Sequence, residues 1–156
     1  IFASGFQYDK DGVACWPALA VNYTNKTQFL FRINKGINNS YDNTLINKIV
    51  PEDDKPVPFS NMIYLGDGET DVPAMKMVKL QGGNTIAVYN PDAKRTTRRS
   101  PREICLEIIQ HKRADYIAPA DYSEGSELDI IIKKVIDKIA MEQDLIELKD
   151  KIMNGK

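Results

Sequence analysis

At 156 residues with 42% hydrophobic content, the chain has the size and apolar fraction of one folded domain, and it is read as a single unit. Twenty-one basic residues against 22 acidic ones leave a net charge of -1, so no global field draws in nucleic acid or an anionic membrane, and any phosphate recognition has to be local. Apolar runs such as Ile130-Ile131-Ile132 fall far short of the roughly 20 residues of a bilayer-spanning helix, no secretory signal is visible, and a cytoplasmic location is expected.

The chain does not begin with Met, and Ile1-Phe2-Ala3 reads as the middle of an apolar strand, which points to a fragment or a processed product. Asp11-Gly12 is a hairpin signal, and the strand after it, over residues 14–23, contains Pro17, which confines it to an edge. This hairpin is expected to be peripheral. Thr24 or Asn25 caps a helix that starts near Lys26, carries Phe29, Leu30 and Ile33 at helical spacing, and stops at Gly36. Residues 38–58 are rich in Asn, Asp and Pro and read as an inserted loop, with one short helix near 44–49. Met62-Ile63-Tyr64-Leu65 is a continuous apolar run of the kind found inside a parallel sheet covered on both faces. It runs into Gly66-Asp67-Gly68 and a helix from Val72 to Leu80, whose Pro73 falls in the first turn, where proline is tolerated. Thr85-Ile86-Ala87-Val88-Tyr89 is a second buried strand. The basic run 94–102 (Lys94, Arg95, Arg98, Arg99, Arg102) reads as a solvated loop ahead of the capped helix start Ser100-Pro101-Arg102-Glu103. A third strand, Tyr116-Ile117-Ala118, precedes a long helix from Ser126, on which Leu128, Ile131, Ile132, Val135, Ile136 and Ile139 recur at threes and fours. Its continuation to Lys156 is more polar and is expected to fray or project. Cys15 and Cys105 form no metal or redox motif and are read as two separate buried thiols, and His111, the only histidine, as a solvated helix-end residue.

The pointed chemistry lies in a strand that ends in Gly-Asp-Gly, with a second Asp four residues after the first at the mouth of a helix. Ligands bind at the carboxyl ends of strands in open α/β sheets, and Asp67 and Asp71 there offer hard oxygen ligands for Mg2+. Taken alone, the same two acids also suit a turn and a helix cap.

Residues 64–75, Tyr-Leu-Gly-Asp-Gly-Glu-Thr-Asp-Val-Pro-Ala-Met, resemble motif IV of the haloacid dehalogenase (HAD) superfamily in its phosphoserine-phosphatase-like form. The resemblance implies that Asp67 ligates Mg2+ directly and Asp71 is a second acidic, metal-supporting and catalytic group, with Gly68 and Thr70 on the substrate. Residues 26–33 resemble the motif III helix, which makes Lys26 the lysine that neutralises phosphate charge and touches substrate; Lys35, beside Gly36, reads instead as a solvated helix-end lysine. Ser4 only superficially resembles the strand-end serine of motif II, and residues 1–6 better match the strand after that motif. The nucleophile motif D-x-D-x-T is not in these residues, since Asp9-Lys10-Asp11 lies in a hairpin turn.

The expected fold is therefore α/β: an HAD-like Rossmannoid three-layer sandwich with a mainly parallel sheet, lacking the nucleophile strand and any cap, plus a peripheral β-hairpin. The chain is read as the C-terminal part of one core domain: strand and hairpin over 1–23, motif III helix over 24–36, loop insertion over 37–59, strands and helices with motif IV over 60–125, and C-terminal helix over 126–156. A missing N-terminal part of the same protein, or another chain, is expected to complete the sheet. The implied activity is Mg2+-dependent hydrolysis of a small phosphorylated metabolite through an aspartyl-phosphate. The alternative is a non-catalytic or truncated HAD-like module that binds Mg2+ or phosphate. A response-regulator-like or Rossmann-type nucleotide binder is disfavoured by the lack of G-x-G-x-x-G and of a Walker A sequence.

Overall fold

The computed structural model describes residues 1–93 and 99–155, and Lys94, Arg95 and Arg98 of the basic run lie outside the described residues. The chain divides into two compact units, Ile1–Pro58 and Phe59–Lys156.

In the first unit, β1 (Gly5–Tyr8) and β2 (Ala14–Leu19) form an antiparallel hairpin. Asp9 builds the turn, its Oδ1 accepting from the Asp11 and Val13 amides at 2.9 Å each, so Asp9-Lys10-Asp11 is turn chemistry. The expected strand at Ile1–Ala3 does not form. Phe2 instead lays its ring 5.2 Å from that of Phe29, and Ser4 Oγ accepts from the Val21 amide at 2.9 Å, which pins the start of the chain to the end of the hairpin.

Helix α1 (Lys26–Asn34) begins at the expected lysine, but neither proposed cap acts as one. The Asn25 side chain points backwards, accepting from the Asn22 amide and donating to the Ala20 carbonyl, so it ties down the approach to the helix. Gly36 stops the helix because its φ of +69° suits glycine, and a Cβ there would lie 2.9 Å from Pro56 Cγ. The following loop is anchored on the helix. Arg32, 1% exposed, donates from Nη1 to the carbonyls of Asn39 and Asp42 and from Nη2 to Asn43 Oδ1. Lys35 is not the solvated lysine expected at a helix end, because its Nζ donates to the carbonyls of Ile46 and Lys48. The helix expected near 44–49 is only a turn. Asp42 Oδ1 takes both the amide and the hydroxyl of Thr44, offering the backbone a local alternative to helix propagation.

The second unit is α/β. Its strands β3 (Ile63–Gly66), β4 (Asn84–Tyr89) and β5 (Tyr116–Pro119) form a parallel sheet in the order β3-β4-β5. The connections are α2 (Val72–Leu80) and α3 (Pro101–Gln110), and α4 (Glu127–Met153) follows the sheet. Strand alternation sorts β4 onto two cores. Ala87 faces Met75 of α2 and Cys105 and Ile108 of α3, while Ile86 and Val88 face Leu128 of α4 together with Ala118 of β5. The helices thus cover both faces, which is why the strands read as continuous apolar runs. Ser100 and Glu103 form the expected capping box on α3. His111 is exposed after that helix, with its Nδ1 2.8 Å from the Glu107 carbonyl oxygen, as its sequence context indicates. Cys105 is buried as expected, but Cys15 is exposed, because a two-stranded hairpin has too little material to cover it.

Helix α4 runs unbroken to Met153, with Lys138 reaching Asn84 Oδ1 and Gln143 reaching Asn61 Oδ1. Its last turns are exposed, Met141, Leu145, Leu148 and Ile152 included. Among the described residues, no helix is long and apolar enough to cross a membrane.

Candidate functional site

The site begins where β3 ends. Alternation along β3 sends Ile63 and Leu65 to the α4 side and Tyr64 to the α2 and α3 side. The chain then leaves the strand at Gly66, passes through Asp67 and extended Gly68, makes one tight turn over Glu69–Asp71, and enters α2. Helix α2 starts with Pro73 in its first turn, as the sequence indicates.

Asp71 is the anchor of this loop and is only 4% exposed. Its Oδ1 accepts from the Tyr64 hydroxyl at 2.6 Å, its Oδ2 from the Asp67 amide at 3.2 Å, and its own amide donates to the Gly68 carbonyl at 3.0 Å. Although Asp71 stands at the N-cap position of α2, its side chain makes no capping bond. The carboxylate is turned away from the helix and towards the loop, which separates it from an ordinary helix cap. Burial, together with the hydrogen bond and charge of Asp71, raises the Tyr64 phenol above its ordinary range, so the hydroxyl stays protonated as the donor.

The glycines on either side of Asp67 do different work. A Cβ on Gly66 would lie 2.6 Å from both Asp71 Cβ and Met75 Cε, so the bare backbone is what lets Asp71 fold back under the loop. Gly68 has nothing within 4 Å of an added Cβ, so the backbone beside Asp67 is open to approach from outside. Asp67, Glu69 and Thr70 are exposed around that opening.

Four of the five residues singled out from sequence therefore come together: Asp67, Gly68 and Thr70 on the exposed loop, and Asp71 behind it. Lys26 is carried by the other compact unit as the half-buried first residue of α1. Among the described residues, no group of three or more His, Cys, Asp and Glu side chains is arranged to hold a metal ion. The donor set still suits a hard cation in part. Mg2+ commonly takes one or two carboxylates and completes its shell with water and phosphate oxygens, and Asp67 presents one exposed carboxylate beside an open backbone.

Two neighbours of the loop were not picked out from sequence. Arg99 bridges Glu69, at 3.3 Å, and Glu107 of α3, linking the acidic loop to the segment before that helix. Within the basic run its role was indistinguishable from that of a solvated charge. Tyr64 looked like one more apolar strand residue, and its phenol carries no sequence signal of the partner it finds. Cys105 lies beneath the same edge, donating from Sγ to the Val88 carbonyl, and burial pushes its thiol above the usual range, with the Asp67 charge adding to this. It is a packing residue and not a thiolate.

No family model matches the sequence, and no solved structure matches it. A protein of Borreliella burgdorferi, described only as an uncharacterized protein, is 30% identical over 125 residues, covering 78% of this chain and 39% of that protein. The chain thus spans well under half the length of this curated relative.

Proposed function

We propose that this chain is part of a Mg2+-dependent phosphomonoester hydrolase of the HAD superfamily, with an HAD-like three-layer core. One observation carries the reading: a parallel strand delivers an exposed Asp67 at its carboxyl end, with a buried Asp71 behind it whose carboxylate holds the Asp67 amide. A turn residue chosen only for its backbone preference does not call for a second, buried carboxylate tied to its own amide.

In this reading Asp67 holds Mg2+, and Asp71 orients Asp67 from behind. Gly68 and Thr70 line the approach of the phosphate group. The bound cation supplies electrostatic relief between an attacking carboxylate and the phosphate. The attacking aspartate, which would form the aspartyl-phosphate, has to come from sequence other than these residues, because Asp9-Lys10-Asp11 is committed to a hairpin turn. That same commitment favours the second reading, a module that binds Mg2+ or phosphate without turnover.

Hydrolysis of p-nitrophenyl phosphate by the full-length protein, with and without Mg2+, decides between them. Mg2+-dependent turnover lost in Asp67→Asn is the expected result. A folded full-length protein without turnover that still binds Mg2+ supports the module, and one that does neither removes both readings.

A further inference from the structure

Tyr64 opens the stretch that resembles motif IV but is given no role by that resemblance, and it lies on the face of β3 that packs against α2 and α3. We propose that Tyr64 is a positioning residue for the acidic loop: its hydroxyl fixes the orientation of the Asp71 carboxylate, and through it the Asp67 backbone. What the loop is for rests on the phosphatase reading above; how it is held rests on the geometry alone.

A carboxylate turns easily about its last side-chain torsion, where the preference is broad and two-fold. One hydrogen bond would leave Asp71 free to swing. Here the two oxygens are engaged from two sides, Oδ1 by the Tyr64 hydroxyl at 2.6 Å and Oδ2 by the Asp67 amide at 3.2 Å, which sets the carboxylate plane as well as its position. The Tyr64 donor is itself well placed. Its ring packs against the cluster of Met75, Ala87, Cys105, Ile108 and Ala114, and its backbone is registered in the sheet opposite Thr85. The hydroxyl therefore transmits the fixed position of the sheet to a loop that has no strand partner of its own. The bare Gly66 between them leaves the space that the Asp71 side chain occupies.

A merely structural tyrosine would stabilise the fold without acting on Asp67, so the test needs readouts that stability does not move. In the full-length protein, wild type is compared with Tyr64→Phe, with 4-fluorophenylalanine at position 64 as a volume-matched second variant, with Asp71→Asn, and with the double variant. Each is followed by isothermal titration with Mg2+, by hydrogen exchange at the Asp67 amide, and by its thermal midpoint. Residues that orient a metal ligand typically change affinity by about 10- to 100-fold, and removal of one hydroxyl is expected to weaken Mg2+ binding about 10-fold. Faster exchange at the Asp67 amide should accompany it, and in the Asp71→Asn background loss of the hydroxyl should have little further effect. Unchanged exchange at Asp67 in a folded Tyr64 variant overturns the positioning role, as do additive effects in the double variant. Wild type that binds no Mg2+ overturns the phosphatase reading, and with it Tyr64's part in metal binding, while the exchange data still report whether Tyr64 holds the loop.

Discussion

Gly66→Ala isolates the closest packing at the site, and its consequence follows from the distances. The added methyl would stand 2.6 Å from Asp71 Cβ, 2.6 Å from Met75 Cε and 2.8 Å from Asp71 Cγ. Carbon atoms prefer roughly 3.5–4.0 Å, so about 1 Å of movement is needed on each contact. Met75 ends in a flexible methyl but is fully buried, and Asp71 Cβ is fixed to the backbone of a tight turn, so neither yields freely. Overpacking of this kind costs about 1–3 kcal/mol, and displacing the carboxylate from the Asp67 amide adds about 1 kcal/mol. The smaller entropy of the unfolded alanine chain returns roughly 0.4–1 kcal/mol, leaving a net loss of about 1–3.5 kcal/mol. Urea unfolding should show a lower midpoint at unchanged slope. Gly68→Ala is the control: its Cβ meets nothing within 4 Å and its φ of -168° is ordinary extended backbone, so stability should hold within about 0.5 kcal/mol. On the phosphatase reading its turnover should nevertheless fall, because the methyl occupies the open approach beside Asp67. A Gly66→Ala protein as stable as wild type, or Gly68→Ala destabilised just as much, would refute the packing argument.

Asp115, just before β5, links α2 to β4, accepting from Lys79 Nζ at 2.6 Å and from the Thr85 amide and hydroxyl at 2.9 and 2.7 Å. Burial raises its pKa, but the hydrogen bonds from Lys79 and Thr85 and the lysine charge outweigh this and hold it below the ordinary value. A depressed folded-state pKa contributes stability above the unfolded value of about 3.9 and loses it as pH falls through the folded value. Asp115→Asn should therefore cost about 1–3 kcal/mol at neutral pH, with the gap from wild type closing under acid; a gap that stays constant between pH ~7 and pH ~3 contradicts this. Thiol labelling should modify Cys15 in the native protein and Cys105 only after denaturation, since Cys15 is exposed and Cys105 is 1% exposed with its thiol pushed up by burial. Rapid native labelling of both would place Cys105 nearer the surface than the packing allows.

The elements of the second unit were legible because local and tertiary preferences agree there. The apolar runs at β3 and β4, Pro73 in the first turn of α2, the Ser100–Glu103 capping box and the spacing on α4 each point to the structure that formed. Gly-Asp-Gly followed by Asp71 at the mouth of α2 also marked the candidate site, since that order of residues has a direct backbone meaning at a strand end. The first unit was harder to read. Ile1–Ala3 had strand character and no partner, residues 44–49 had helix character that Asp42 diverted, and Lys35 looked like a surface lysine until the loop wrapped around it. A hydrogen bond between groups far apart in sequence leaves no periodic trace, so partner choice was invisible in each case. The same reason governs the site itself. The order of residues alone puts Asp67 and Asp71 just beyond the end of β3. Tertiary structure decided that Asp71 turns inward to the Tyr64 hydroxyl and the Asp67 amide while Asp67 faces out, because only the packing of β3 against α2 brings a phenol and a carboxylate seven residues apart to within 2.6 Å.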